Sequence, residues 1–260
     1  MADISVVIPV GPDPAYLEWL PECIESVWNQ THPPKEIIII DDGKHFAYDD
    51  PVWRAWISSA LIDKFPSQKV LVRNSGMPDL ETGAVTYGFY NSNISVILYR
   101  TLWNVGVADA FNFGVSLSTS DLVFMLGSDD KLHPDCLELC VESYEQHNLD
   151  AWYHVTIETQ GGEIVQHFNN AAMVTKKLWN WLGGFPPSSG VAACDAVLIS
   201  ILMVHAPTRL IQVAPGKPLY WAREHDHQDT RKNTWYYAKS GVIEQIRNME
   251  TIRFSPVGTL

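Results

Sequence analysis

The chain has 260 residues, of which 46% are hydrophobic, and a formal net charge of -12 at pH 7. This length suits one substantial α/β core and is too short for two large domains. The acidic balance disfavours a surface that follows the phosphates of a nucleic acid, although it does not exclude a local basic patch.

Cysteine spacing and hydropathy indicate a reduced, cytoplasmic protein. The four cysteines, Cys23, Cys136, Cys140 and Cys194, show no CxxC spacing, which favours buried thiols over disulfides or a metal site. The apolar run at residues 4–10 has no basic leader and indicates a strand rather than a signal peptide. No stretch has the roughly twenty apolar residues of a membrane span, so we expect any membrane association to be peripheral.

The first predicted unit is a strand, a helix and a second strand, over residues 4–8, 16–30 and 36–40. The second strand is an unbroken apolar run, which is typical of a parallel strand covered on both faces. It stops at Asp41 and Asp42. Doubly wound folds bind ligands at the carboxyl ends of such strands, so both aspartates are candidate site residues.

The remaining elements continue an α/β pattern. A helix is predicted over 52–61, a strand over 69–72, a long loop or insertion over 74–93, a strand over 94–99, a helix over 105–117, a strand over 122–126 and a helix over 133–146. Strands over 151–157 and 163–168, helices over 176–182 and 195–205, a strand over 208–213 and a polar tail beyond 223 follow. The pattern predicts a Rossmann-like, mostly parallel sheet flanked by helices.

The most informative local pattern is Ser128-Asp129-Asp130 at the end of the buried strand over 122–126. Two adjacent carboxylates repel each other unless a cation or hydrogen-bond donors offset their charge, and a hard divalent metal does this well. A simpler interpretation is that one of the aspartates caps the following helix. The pattern by itself does not decide between these two interpretations.

The Asp129–Asp130 pair is the last of four motifs that follow one another along the chain. They are Val6-Val7-Ile8-Pro9, Ile39-Ile40-Asp41-Asp42-Gly43, the run from Asn104 to Gly114, and Ser128-Asp129-Asp130. This series resembles the family 2 glycosyltransferases of the GT-A fold. Weaker matches follow at Gly183-Gly184-Phe185, at Cys194-Asp195 and in residues 220–230. The lack of a Gln-x-x-Arg-Trp sequence and of membrane spans argues against a processive polysaccharide synthase.

The resemblance implies a transferase that moves a sugar, with inversion, from a nucleotide-sugar donor to an acceptor hydroxyl. The expected donor is a UDP-sugar, and the expected cofactor is a divalent metal, Mn²⁺ or Mg²⁺. The acceptor stays open between a glycan, a lipid-linked intermediate and another hydroxyl compound.

The resemblance also assigns residues. Asp195 would be the catalytic base, and Asp130 with His225 would bind the metal. Donor-binding positions would be Pro9, Val10, Asp41, Asp42, Arg100, Asn104, Ser128 and Asp129, with Asp42 on the nucleobase. Residues 1–222 would form one GT-A catalytic domain, with a donor-binding half over 1–130 and an acceptor-binding half over 131–222. Residues 223–260 would form a C-terminal segment.

Three departures from the family pattern bear on these assignments. Gly127 stands where the family often has a further aspartate of its DXD-type cluster, and Cys194 replaces a glutamate beside the expected base. The segment over 44–99 is longer than a simple connection, and its role is open between acceptor binding, formation of a homo-oligomer and packing.

Two other function classes share parts of this pattern. A nucleotidyltransferase also combines a nucleotide-binding sheet with metal-binding acids, but it should carry a basic, Gly-rich loop after the first strand. Gly11-Pro12-Asp13-Pro14 is not such a loop. A catalytically inactive binding module of the same fold would be consistent with the changes at Gly127 and Cys194.

Overall fold

A computed structural model of the chain describes residues 1–42, 85–90, 94–101, 103–166, 171–186 and 194–226. The helix predicted over 52–61 and the strand predicted over 69–72 lie outside these residues. Among the described residues, none of the helices is both long enough and apolar enough to span a bilayer.

The helices are α1 (Tyr16–Trp28), α2 (Val107–Leu117), α3 (Cys136–His147), α4 (Lys176–Leu182) and α5 (Cys194–His205), with a short 3-10 helix at Pro207–Arg209. The strands are β1 (Ile4–Val10), β2 (Glu36–Asp41), β3 (Val85–Tyr90), β4 (Ser95–Arg100), β5 (Leu122–Met125), β6 (Lys131–Leu132), β7 (Trp152–His154), β8 (Thr156–Thr159), β9 (Ile164–Val165), β10 (Ala172–Thr175), β11 (Leu210–Gln212) and β12 (Pro218–Ala222).

A large sheet of eight strands organises the molecule. Its order is β11-β7-β10-β5-β1-β2-β4-β3, and β5, β1, β2 and β4 form a parallel block at its centre. β10 is antiparallel to β5 and to β7, and β3 is antiparallel to β4. A second sheet has the order β6-β12-β8-β9.

Apolar layers cover both faces of the central strands. One layer joins α1 and α3 to the sheet and includes Leu219 and Tyr220 of the second sheet, while the other joins α2, α4 and α5. Every residue of β1, β2 and β5 is buried. This double coverage explains why the three strands read as unbroken apolar runs, and it confirms the prediction of a mostly parallel sheet between helices.

Several elements differ from the sequence predictions. The strand predicted over 151–157 is two strands, because the chain leaves the large sheet after β7 and enters the second sheet as β8. The loop predicted over 74–93 contains β3, which pairs with β4. The sequence pattern did not indicate β10 or β12, and of the strand predicted over 163–168 only β9 forms among the described residues.

The cysteines agree with the expectation of buried thiols as far as the structure describes them. Cys23, Cys136 and Cys140 are free and buried, and Cys136 and Cys140 lie one turn apart on α3.

Candidate active site

The predicted donor-binding residues meet at one edge of the large sheet. Because β1, β2 and β4 are parallel and adjacent, their carboxyl ends are aligned. Val10 pairs with Asp41, and Asp41 pairs with Arg100. Residues separated by about ninety positions in the chain therefore stand side by side, as the sequence motifs led us to expect.

Asp42, directly after β2, is buried and holds the loop that leads into α2. One carboxylate oxygen accepts hydrogen bonds from the Val105 N–H at 2.6 Å and the Thr101 hydroxyl at 3.1 Å, and the other accepts from the Gly106 N–H at 2.8 Å. The Asn104 amide donates to the Asp42 carbonyl at 3.0 Å. Burial raises the pKa of Asp42, while these hydrogen bonds act in the opposite direction. The nucleobase contact expected of Asp42 stays a prediction.

Asp129 and Asp130 follow β5, the strand on the other side of β1. Asp130 accepts hydrogen bonds from the Tyr220 hydroxyl at 2.6 Å and from the Arg223 N–H at 2.8 Å. Burial, together with the charge of Asp129, raises the pKa of Asp130 well above its usual range. Ionisation of both carboxylates therefore costs free energy, and a positive charge beside them would stabilise the ionised pair.

His225 contacts this pair through Asp129. Its Nε2 lies 2.9 Å from Asp129 Oδ2, and its side chain is only 9% exposed. The segment that we predicted to be a C-terminal tail thus begins at the acidic pair. Asp130 and His225, the two predicted metal ligands, both lie next to Asp129.

Gly127 is packed against the same carboxylates. A Cβ added at this position would lie 2.8 Å from Asp129 Oδ1 and 2.9 Å from Asp130 Oδ2. The Gly127 N–H also donates to the Tyr220 hydroxyl at 3.1 Å. In this arrangement of the two carboxylates, a side chain at position 127 would require them to move. Ser128, beside it, is buried.

A polar and aromatic face of α1 borders the acidic pair. Glu22 accepts hydrogen bonds from Lys131 at 2.7 Å and from Arg223 at 2.5 Å, and the hydrogen bond from Lys131 is the main cause of the lowered pKa of Glu22. The Trp19 and His225 rings lie 4.1 Å apart between centroids. The Arg223 guanidinium also donates to the Asp129 carbonyl at 2.9 Å.

The sequence pattern did not indicate the contacts of Trp19, Glu22 and Tyr220 with the acidic pair and the segment after β12. One signal was available, because Tyr16, Trp19 and Glu22 follow the first strand at a spacing of three residues and so share a face of α1. Nothing in the sequence indicates which segment this face contacts.

The donor set at the acidic pair fits a divalent cation. Among the described residues, no group of three or more His, Cys, Asp and Glu side chains is arranged as a complete metal site. Asp129 and His225 nevertheless bring a carboxylate and an imidazole within 2.9 Å, next to the half-buried carboxylate of Asp130. Carboxylate oxygens of this kind suit Mn²⁺ and Mg²⁺ when a bound phosphate supplies further oxygens.

Asp195 lies in the first turn of α5. The Leu198 and Leu202 side chains of this helix pack in the layer formed with α2, whereas Tyr220 beside Asp130 belongs to the layer formed with α1. Residues 187–193, which lead into α5, lie outside the described part of the chain. The assignment of Asp195 as the base stays a prediction.

Comparison with known sequences decides the family. A family model described as Glycosyl transferase family 2 matches residues 5–47 and 57–186, more than half of the chain. The chain belongs to glycosyl transferase family 2. It is 24% identical over 201 residues to an uncharacterized glycosyltransferase of Nostoc sp., a match that covers 73% of this chain and 51% of the relative. The chain thus spans about half the length of this curated relative.

Two solved structures agree on the fold. TarS of S. aureus, in complex with UDP-GlcNAc, aligns at a TM-score of 0.61 and 14% identity over 87% of this chain and 60% of that one. The mannosyltransferase PcManGT of Pyrobaculum calidifontis, in complex with GDP-Man and Mn²⁺, aligns at 0.55 and 14% identity over 98% and 68%. The fold of this family 2 chain is GT-A, as the sequence motifs implied.

Proposed function

We propose that this chain is an inverting glycosyltransferase that moves a sugar from a nucleoside-diphosphate sugar to an acceptor hydroxyl. The observation that carries the proposal is the placement of Asp42 and of Asp129 and Asp130 at the ends of β2 and β5, which flank β1 at one sheet edge. Such an edge can hold a nucleotide on one side and its diphosphate on the other.

The donor is proposed to be a UDP-sugar, held by the residues predicted for it. Pro9, Val10, Asp41 and Asp42 line the nucleoside side, and Arg100 and Asn104 border it at the end of β4 and in the loop after it. Ser128 and Asp129 lie toward the sugar and ribose. TarS with UDP-GlcNAc supports a UDP-sugar, and PcManGT with GDP-Man makes a GDP-sugar the alternative to test.

Asp130 and His225 are proposed to hold Mn²⁺ or Mg²⁺, with Asp129 between them. When bound, the cation would neutralise the negative charge that develops on the departing nucleoside diphosphate. Asp195 takes the proton from the acceptor hydroxyl while the hydroxyl oxygen attacks the anomeric carbon of the donor sugar. The bond between this carbon and the diphosphate breaks on the opposite face of the sugar. Residues 131–222 are proposed to supply the acceptor side.

The central test is a panel of UDP- and GDP-sugars with Mn²⁺, followed by release of free nucleoside diphosphate through slow donor hydrolysis. We expect one donor class to be hydrolysed. Consumption of a nucleoside triphosphate with release of pyrophosphate would instead show a nucleotidyltransferase. Binding of no donor would favour an inactive module.

The metal assignment is tested with Asp130→Ala. We expect this variant to lose Mn²⁺-dependent donor affinity by at least about tenfold, the lower end of the loss seen when a residue that merely orients a metal ligand is removed, while its circular dichroism spectrum stays that of the parent. The matched control is Asp121→Ala, because Asp121 is exposed and directly precedes β5 at the opposite end from Asp130. Unchanged Mn²⁺-dependent affinity in Asp130→Ala would remove Asp130 from the site.

The base assignment is tested with Asp195→Asn. We expect normal donor affinity by calorimetry and a rate of sugar transfer lowered by about 10² to 10⁴, the usual contribution of a general base. Asp109→Asn, in the first turn of α2, controls for loss of a negative charge at the start of a helix. Turnover equal to that of the parent would dismiss Asp195 as the base.

A further inference from the structure

Helix α1 contacts the C-terminal end of the described chain where this end passes the acidic pair. Residues 223–226 follow β12 and contain His225, a proposed metal ligand. The Arg223 N–H donates to Asp130 at 2.8 Å, and His225 Nε2 lies 2.9 Å from Asp129. A short irregular segment keeps such a geometry only if its side chains are held from outside.

Two aromatic side chains of α1 contact the His225 ring. Trp19 packs its ring 4.1 Å from that of His225, with a 40° angle between the planes, and Tyr16 meets both rings edge-on at 6.1 Å. The Nε2 atom of the same ring lies 2.9 Å from the Asp129 carboxylate. The imidazole is thereby fixed in position between an aromatic surface and an acid.

Glu22, one turn further along α1, fixes the neighbouring residue. Its carboxylate accepts from Arg223 at 2.5 Å and from Lys131 at 2.7 Å. The Arg223 guanidinium lies 5.5 Å from the Trp19 ring and 5.0 Å from the Trp221 ring, and the Arg223 side chain is only 16% exposed. Arg223 is therefore held by an ion pair and by two aromatic faces at once.

The geometry points to Trp19 and Glu22 as positioning residues for metal binding: they hold His225 and Arg223 against Asp129 and Asp130. This inference rests on the proposed function for the identity of the cation. It adds α1 to the site, although neither side chain is a ligand itself. Residues that orient a metal ligand typically change metal affinity 10- to 100-fold when they are removed.

The test compares the variants Trp19→Ala and Glu22→Gln with two control variants, one that conserves the aromatic ring and one that changes a neighbouring exposed carboxylate. Trp19→Phe keeps an aromatic face against His225, and Glu18→Gln removes a carboxylate from an exposed position on the same helix. The Mn²⁺ affinity of each full-length variant is measured in the presence of UDP by the loss of the free-Mn²⁺ electron paramagnetic resonance signal. We expect Trp19→Ala and Glu22→Gln to weaken Mn²⁺ binding about tenfold or more, while Trp19→Phe and Glu18→Gln stay close to the parent.

A second readout does not depend on the metal. Hydrogen exchange of the peptide containing Arg223, measured by mass spectrometry without Mn²⁺ or UDP, should accelerate in Trp19→Ala and Glu22→Gln and not in the two controls, because the Arg223 N–H is donated to Asp130. Unchanged exchange in both variants would overturn the inference. A parent protein that fails to bind Mn²⁺ would contradict the proposed metal role, and the exchange rates would then decide the positioning role by themselves.

Discussion

Gly127 shows how a single residue sets the shape of the acidic pair. Its lack of a side chain lets both carboxylates and the Tyr220 hydroxyl close around the backbone. The Tyr220 hydroxyl accepts from the Gly127 N–H and donates to Asp130, so one buried phenol links the turn to β12. Any larger residue at position 127 must displace the carboxylates, since they lie closer than real Cβ contacts allow.

The substitution Gly127→Ala tests this role. We expect a loss of about 1–3 kcal/mol in the free energy of unfolding, as overpacking of a close-packed site produces, together with weaker Mn²⁺-dependent UDP binding. Urea denaturation and calorimetry measure the two effects. Gly161→Ala is the matched control, because its added Cβ would meet the end of the exposed Glu224 side chain at 3.2 Å and Thr159 Oγ1 at an ordinary 3.6 Å. Parent-like stability and UDP affinity in Gly127→Ala would refute the steric explanation.

Among the elements, α2 packs closely on the sheet at Gly114. A Cβ at Gly114 would lie 2.1 Å from Val7 Cγ1 on β1, so the helix approaches the strand closely at this point. This helix begins at the loop that Asp42 holds. The distance between α2 and β1 therefore influences the position of the loop that is predicted to bind the donor.

The substitution Gly114→Ala has two opposing effects on the free energy of unfolding. Helix propensity favours alanine by about 1 kcal/mol, but the clash with buried Val7 should cost more, up to about 3 kcal/mol, so we expect a net loss of stability. The double variant Val7→Ala/Gly114→Ala should be less destabilised than the sum of the single variants by about 1 kcal/mol or more, because the smaller strand residue makes room. Additive losses in urea denaturation would show that the contact does not limit the packing.

The elements also show which predictions a sequence supports. The helix α4 was predicted with its observed bounds, because its signals are local: the Thr175 hydroxyl accepts from the Leu178 N–H, and Gly183 ends the helix at a φ of 79°. β10 and β12 have no comparable local signal. They are four and five residues long, and they are defined by pairing with strands elsewhere in the chain.

At the scale of the whole molecule, the predictable part of the site is the part that sits at strand ends. Asp42 and the pair Asp129 and Asp130 could be predicted to share a sheet edge because each follows a buried apolar run, and a parallel sheet aligns such ends. The contact between Glu22 and Arg223 joins residues 201 positions apart. Neither residue lies in a sequence pattern that indicates the other, so this contact could be identified only from the folded structure.

Acid stability is a property of the whole molecule that one buried residue should influence. His154 lies in β7 within the large sheet and is 2% exposed. Burial lowers the pKa of His154 from 6.5 to about 4. The unfolded chain therefore binds a proton more readily than the folded chain, and folding stability falls as the pH drops below 6.5 and continues to fall until about 4.

His154→Gln should remove this contribution, because glutamine does not titrate. Between pH 7 and pH 4 we expect the parent to lose up to about 3 kcal/mol more in free energy of unfolding than the variant, which follows from 1.36 kcal/mol per pKa unit. Urea denaturation across this range measures the difference, with His147→Gln, at an exposed position on α3, as control for loss of a histidine. If the parent and His154→Gln lost stability in parallel down to pH 4, the buried imidazole would not be a source of acid sensitivity.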